Sequence, residues 1–225
     1  MARLHLITDT RPDRDTLAVV AAALRAGQDA GAPADVAIQV RVEDDVTDRQ
    51  AYELTLRVAQ MCRQAGGSCL VNDRLHIALA TGSDGGHVGA DDLPVAAARA
   101  ILGPDAVLGG TARIPDTARQ HLADGASYLG VGPLSASPTK DGIGPPIGLA
   151  GVAAVVNAAP LPVVAIGGVT VDQVAELRAA GAHGVAVISA IHRAADPYAE
   201  TLRFLRALGG GVGSHHSSVA EGETR

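Results

Sequence analysis

Hydrophobic and polar positions in this chain follow two alternating rhythms. Short apolar, β-branched runs are followed by longer Ala/Leu/Arg-rich stretches whose apolar residues recur every three or four positions, the patterns of buried strands and amphipathic helices. Strands are predicted at Leu4 to Thr8, Val36 to Arg41, Cys69 to Asn72, His87 to Gly89, Ala106 to Gly109, Tyr128 to Val131, Val163 to Ile166 and Val185 to Ile188. Helices are predicted near residues 15–30, 48–65, 75–80, from Pro94 onward, and near 114–122, 149–157, 171–179 and 197–208. Leu54, Val58 and Met61 form the apolar stripe of the second, and proline is tolerated in the first turn that Pro94 opens. The eight strand–helix units share residues 4–207, about 25 residues each, enough for one strand, one helix and two short loops. Strict alternation demands parallel strands joined by right-handed helical crossovers. The expected fold class is therefore α/β, a (β/α)8 TIM barrel forming a single domain over residues 1–208. A doubly wound open sheet would place a glycine-rich turn after the first strand, and ITDTRPDRD holds no glycine.

Composition narrows the picture. Hydrophobic residues make up 47% of the 225 and aromatics 2%, so the core is expected to be aliphatic. The formal net charge of −6 leaves no basic field for a nucleic-acid partner, and the few aromatics offer no stacking platform. Apolar runs fall short of the ~20 residues of a membrane span, and the N-terminal stretch turns polar too soon for a secretion signal. Cys62 and Cys69 lack metal-site spacing and read as buried, reduced thiols of a cytoplasmic protein. Residues 209–225 (GGGVGSHHSSVAEGETR) differ in composition and are expected to form a disordered C-terminal tail, with His215 and His216 an incidental pair.

Candidate chemistry lies where the predicted strands end, because the active site of such a barrel is built there. These ends carry Gln39 and Arg41, Asn72 and Asp73, Asp91 and Asp92, Thr111, a long loop from Gly132 to Lys140, Gly167 and Gly168, and Ser189. Singly, each has an ordinary turn-forming explanation; jointly they would converge on one bowl. Asp73 and Asp92 follow adjacent strands and offer hard oxygen donors suited to Mg2+, although acids in a first helical turn are an equal reading. The loop GPLSASPTK sets Ser135, Ser137 and Thr139 beside Lys140, as a lid over an anionic ligand would, or as a surface loop. The AIGGV and VISAI segments sit at strands seven and eight, where backbone N–H groups bind phosphate in many barrels. Two anion grips suggest a diphosphate and a monophosphate as ligands. With no well-placed nucleophile, the expected chemistry is departure of a diphosphate.

These segments resemble the thiamine phosphate synthase family over nearly the whole barrel. The motifs are LHLITD at 4–9, IQVR at 38–41, LVNDR at 70–74, HVGADDLP at 87–94, YLGVGPLSASPTK at 128–140, VVAIGGV at 163–169 and VISAI at 187–191. The resemblance implies a transferase of thiamine biosynthesis that joins hydroxymethylpyrimidine diphosphate to thiazole phosphate and releases pyrophosphate by a dissociative, Mg2+-assisted route. It implies Asp73 and Asp92 as metal ligands. Arg41, Asn72 and Lys140 would contact the diphosphate, with Thr139 beside them; Arg41, Thr139 and Lys140 would be the catalytic set. Gln39 and Thr111 match pyrimidine positions, and Ser137 and Thr139 match the thiazole side. Gly168 and Ser189 match its phosphate grip, and Gly167 and Ile188 are further substrate-binding candidates. Its partners are these small molecules, with neither nucleic acid nor membrane, and self-association is left open. Two departures stand out: Glu43 occupies the place of a usual lysine, and Arg113 that of a common histidine. The rival readings are a thiazole tautomerase-like isomerase, which the two aspartates disfavour, and a noncatalytic phosphate-ligand-binding regulatory barrel, which Glu43 motivates.

Overall fold

The computed structural model describes residues 1–11, 15–135 and 145–209. Eight parallel strands close on themselves in chain order: β1 (Leu4–Ile7), β2 (Val36–Val40), β3 (Ser68–Asn72), β4 (Gly85–Val88), β5 (Val107–Thr111), β6 (Tyr128–Val131), β7 (Val163–Ile166) and β8 (Gly184–Val187). Between and after them run α1 (Thr16–Asp29), α2 (Asp48–Ala65), α3 (Leu75–Thr81), α4 (Val95–Leu102), α5 (Pro115–Ala123), α6 (Gly148–Val156), α7 (Val174–Ala179), α8 (Ser189–His192) and α9 (Pro197–Ala207). The architecture is the expected (β/α)8 barrel. Closure comes from β1 pairing with β8, Leu4 opposite Val185 and Leu6 opposite Val187.

Several bounds move, each for a local reason. β4 begins at Gly85, before the apolar run starts, because Gly85 and Gly86 pair with Val107 and Leu108 of β5. β5 extends through its two glycines to Thr111, which pairs with Gly130 of β6 and so ends the strand instead of following it. The segment from Val171 is a 3-10 turn through Gln173 before α7 begins. Short α8 after β8 falls outside the helices read from periodicity, which four residues cannot display.

Alternate strand residues serve two cores. Leu4, Leu6, Val36, Ile38 and Val40 pack outward with Val20, Leu24, Val58 and Phe204 from the helices. Ile7, Leu70, Tyr128, Val164 and Ala186 fill the barrel interior. Local chemistry sets the helices. Thr47 and Gln50 form a reciprocal capping box at the start of α2, and Gly66 ends it at φ 80°. Asp15 and Asp196 cap α1 and α9. On the face opposite the site, Arg3 joins Asp35 to the Leu208 carbonyl, while Arg99 grips the carbonyls of Gly103, Ala106 and Gly125.

Among the described residues no helix is long and apolar enough to cross a membrane. Cys62 and Cys69 are free and buried. Phe204 of α9 is fully buried in the outer core. Phe204→Ala is expected to lower the unfolding free energy by about 3–5 kcal/mol in a denaturant titration, through lost burial and the cavity left behind.

Candidate active site

The C-terminal ends of the strands surround a basin of about 310 Å³. Register explains its lining. Ile7 pairs with Gln39, Gln39 with Leu70, and Asn72 with His87; Gly109 pairs with both His87 and Tyr128. The basin collects Gln39, Arg41, Asn72, Asp73, Thr111, Gly167 and Ile188 from the expected residues, and Arg113 as well. A smaller notch of about 50 Å³ lies beside it, lined by Gly167, Gly168, Ile188 and Ser189. Basin and notch share Ile166, Gly167, Ala186 and Ile188 in their walls, so they lie side by side. Gly167 and Gly168 have φ of 90° and 72°, a left-handed conformation that favours glycine. A side chain at Gly167 would also strike Pro133, whose neighbour Leu134 donates its N–H to the Ile166 carbonyl.

Asp73 and Asp92 follow neighbouring strands, but they are placed differently. Asp73 lines the basin with a left-handed φ of 60° and donates its backbone N–H to the His87 carbonyl. The Asn72 amide bonds its carboxylate. Asp92 lies just outside the lining, which includes Asp91, and its carboxylate accepts the Gly89 N–H at 2.8 Å. Neither acid caps the helix that follows: α3 and α4 begin without a side-chain cap. Among the described residues no three His, Cys, Asp or Glu side chains cluster as a metal cage.

Arg41 is held from two sides. Its backbone N–H donates to the Thr8 hydroxyl, which in turn donates to the Arg41 carbonyl. Its guanidinium meets Glu43 at 3.2 Å, so the acid in the usual lysine position directly offsets the basin's cation. Arg113, although carried beyond β5, reaches the same basin and donates to the Pro145 carbonyl at 2.7 Å. Arg11 pairs with buried Asp9 near the β1 end and holds that carboxyl below the usual range. Ser137, Thr139 and Lys140 lie outside the described residues, as does the tail from residue 210.

Sequence reasoning missed the floor. His5, His87 and Tyr128 line the base of the basin, all nearly or wholly buried. The Tyr128 hydroxyl lies 3.1 Å from His87 Nδ1, and His87 Nε2 lies 3.0 Å from the Thr111 hydroxyl. His121 reaches from α5 to the Thr111 carbonyl at 2.9 Å. Imidazoles at inward positions of β1 and β4 were the available signal. Burial pushes the His5 pKa down to about 3, with His87 adding to the effect.

A closed ring of eight parallel strands with a polar basin at its C-terminal rim defines a (β/α)8 barrel of the enzyme class, whose active sites are built at that rim. The family model described as thiamine monophosphate synthase matches residues 4–191. A thiamine-phosphate synthase of Salinispora arenicola is 60% identical over 208 residues, covering 92% of this chain and 98% of that protein. One of Moorella thermoacetica is 45% identical over 84% of this chain and 87% of its own. The solved thiamine phosphate pyrophosphorylase of Pyrococcus furiosus superposes with a TM-score of 0.79 at 31% identity, covering 92% of this chain and 95% of that one. The chain belongs to the thiamine monophosphate synthase family, and with it to the transferases of thiamine biosynthesis.

The buried His5 makes a pH prediction. Its folded pKa lies below the unfolded value of ~6.5, so unfolded chains bind the extra proton and stability falls as pH drops from about 6.5 toward 3. One such proton contributes a slope of about 1.4 kcal/mol per pH unit. Denaturant titrations at several pH values are expected to show a shallower loss for His5→Gln than for the native chain.

Proposed function

We propose that this chain condenses hydroxymethylpyrimidine diphosphate with thiazole phosphate, giving thiamine phosphate and pyrophosphate. The observation that carries the reading is adjacency: the basin lined by Arg41, Asn72 and Asp73 shares Ile166, Gly167, Ala186 and Ile188 with the glycine notch at β7 and β8. Two anionic tails can be gripped at opposite ends while their rings meet between. The family membership and the 60% identity to a named thiamine-phosphate synthase support the same assignment.

Arg41 and Asn72 hold the diphosphate, Gln39 and Thr111 the pyrimidine, and Gly167, Gly168, Ile188 and Ser189 the thiazole phosphate. Lys140, with Thr139 and Ser137, is assigned to the diphosphate and thiazole sides on sequence resemblance alone. Asp73 and Asp92 suit Mg2+, because their donors are carboxylate oxygens and neither is spent capping a helix. Mg2+ completes its shell with waters and phosphate oxygens, so two carboxylates suffice without a protein cage. Bound there, the ion would neutralise charge on the departing diphosphate.

The chain's own part is electrostatic. The bond from the pyrimidine methylene to the diphosphate oxygen breaks, and the leaving group keeps the electron pair. Arg41 then faces more charge than in the ground state and stabilises it selectively. The thiazole nitrogen donates its lone pair to the methylene carbon. That nitrogen carries no proton, so bond formation requires no general base. We also place the protein in the cytoplasm, a reading that its two buried free cysteines support.

Incubation with both substrates and Mg2+ is expected to release pyrophosphate and thiamine phosphate in equal amounts; no pyrophosphate would overturn the assignment. Asp73→Asn and Asp92→Asn are each expected to lower kcat by about 10²-fold or more with little change in melting temperature, since both acids are exposed. Glu43→Gln removes the charge that offsets Arg41 and is expected to lower KM for the pyrimidine diphosphate by about two- to fivefold, the scale of a partly exposed ion pair.

A further inference from the structure

We infer that His87 and Tyr128 are positioning residues that fix the Thr111 hydroxyl as a donor and the Gln39 carbonyl as an acceptor toward the basin. The site would then take the amidine edge of an aminopyrimidine and reject the corresponding oxo ring. This rests on the pyrimidine diphosphate reading of the basin and deepens it.

The argument follows a single proton. The Tyr128 phenol is buried, and burial raises its pKa, so it keeps its proton and must place it. Among the described residues, the hydrogen-bonding groups beside it are His87 Nδ1 at 3.1 Å and the Gln39 side-chain amide at 3.5 Å. An O–H donor bond at 3.5 Å lies beyond the usual range, so the proton points to His87. Nδ1 is then an acceptor, and a neutral imidazole with an acceptor at Nδ1 carries its hydrogen on Nε2. That N–H donates to the Thr111 hydroxyl oxygen at 3.0 Å. The hydroxyl's own hydrogen is left for the basin, which Thr111 lines. Gln39 faces the same phenol oxygen, whose proton is spent; at 3.5 Å its NH2 end makes a long electrostatic contact there, not a full hydrogen bond, and this orientation leaves its carbonyl oxygen for the ligand.

The backbone makes room for this relay. A Cβ at Gly109 would sit 2.2 Å from Tyr128 Cζ and 2.4 Å from His87 Nδ1, and one at Gly130 would sit 2.7 Å from His87 Cε1. Two adjacent strands thus omit side chains where the imidazole and phenol meet. His121, bonded to the Thr111 carbonyl, steadies the receiving residue from the outside.

An aminopyrimidine presents a ring nitrogen acceptor beside an amino donor, the complement of a hydroxyl donor beside an amide carbonyl. An oxo ring presents the reverse, leaving like groups opposed, and its attached diphosphate prevents it from turning over. The opposite wiring, in which Tyr128 donates to Gln39 and His87 carries its hydrogen on Nδ1, would favour the oxo ring.

The full chain with 15N-labelled histidine distinguishes the wirings by NMR, the His87 signals being assigned by their loss in His87→Gln. Hydrogen on Nε2 at neutral pH is the expected result; hydrogen on Nδ1, or on both nitrogens, overturns the relay. This measurement needs no turnover, so an inactive protein, which would defeat the substrate reading, is told apart from a wrongly wired one. In the active enzyme, the amino compound is expected to bind at least about 10²-fold more tightly than its oxo analogue, measured by inhibition, as for a site with opposed buried polar groups. Tyr128→Phe, nearly isosteric, is expected to shrink that ratio about tenfold while leaving KM for thiazole phosphate within about twofold. A ratio unchanged in a folded Tyr128→Phe protein, or an equal rise in both KM values, overturns the relay.

Discussion

The hydrogen bonding of β1 to β8 is the constraint on which the rest depends. Once the eight parallel strands close, every strand's C-terminal end faces one rim, and residues far apart in sequence must share one basin. Closure also divides each strand's side chains between two environments. Outward positions meet the helices in an aliphatic core, and inward positions meet one another. Because the inward layer is small, each side chain in it constrains its neighbours directly.

That crowding explains the polar floor. A buried imidazole or phenol needs partners, since burying an unpaired polar group costs about 1–3 kcal/mol. Glycines at 109 and 130 give His87 and Tyr128 the space to find each other, and Thr111 and Gln39 extend the chain of bonds to the edge of the basin. His5 follows another solution: burial keeps it neutral, with no side-chain hydrogen-bond partner among the described residues. The floor is therefore buried and hydrogen-bonded, where the rim residues Arg41, Asp73 and Asp91 above it are partly or fully exposed.

Charge is distributed with similar economy. A chain of net charge −6 has few cations to spare, and the basin takes Arg41 and Arg113. Glu43 offsets the first of these, and Arg11 is committed to Asp9. The acid at 43 looked in sequence like the loss of a cation. In the fold it is also a contact that steers Arg41, while Arg113 brings positive charge from a strand three positions round the barrel.

The alternation of runs was enough to establish eight strand–helix units, because buried strands and amphipathic helices write their periods directly into residue order. The same order exposed the residues at the strand ends, since Arg41, Asn72, Asp73, Thr111 and the Gly167–Gly168 pair interrupt apolar runs. The floor left only a faint signal, imidazoles at inward positions of β1 and β4: His5, His87 and Tyr128 each look like an ordinary member of a short strand, and only cross-strand register brings them together. Nor could order alone separate Asp73, which lines the basin, from Asp92, which sits just behind it on a glycine N–H. Periodicity is a property of neighbours along the chain, whereas a hydrogen-bonded site is a property of neighbours across the barrel, and closure alone decides who those are.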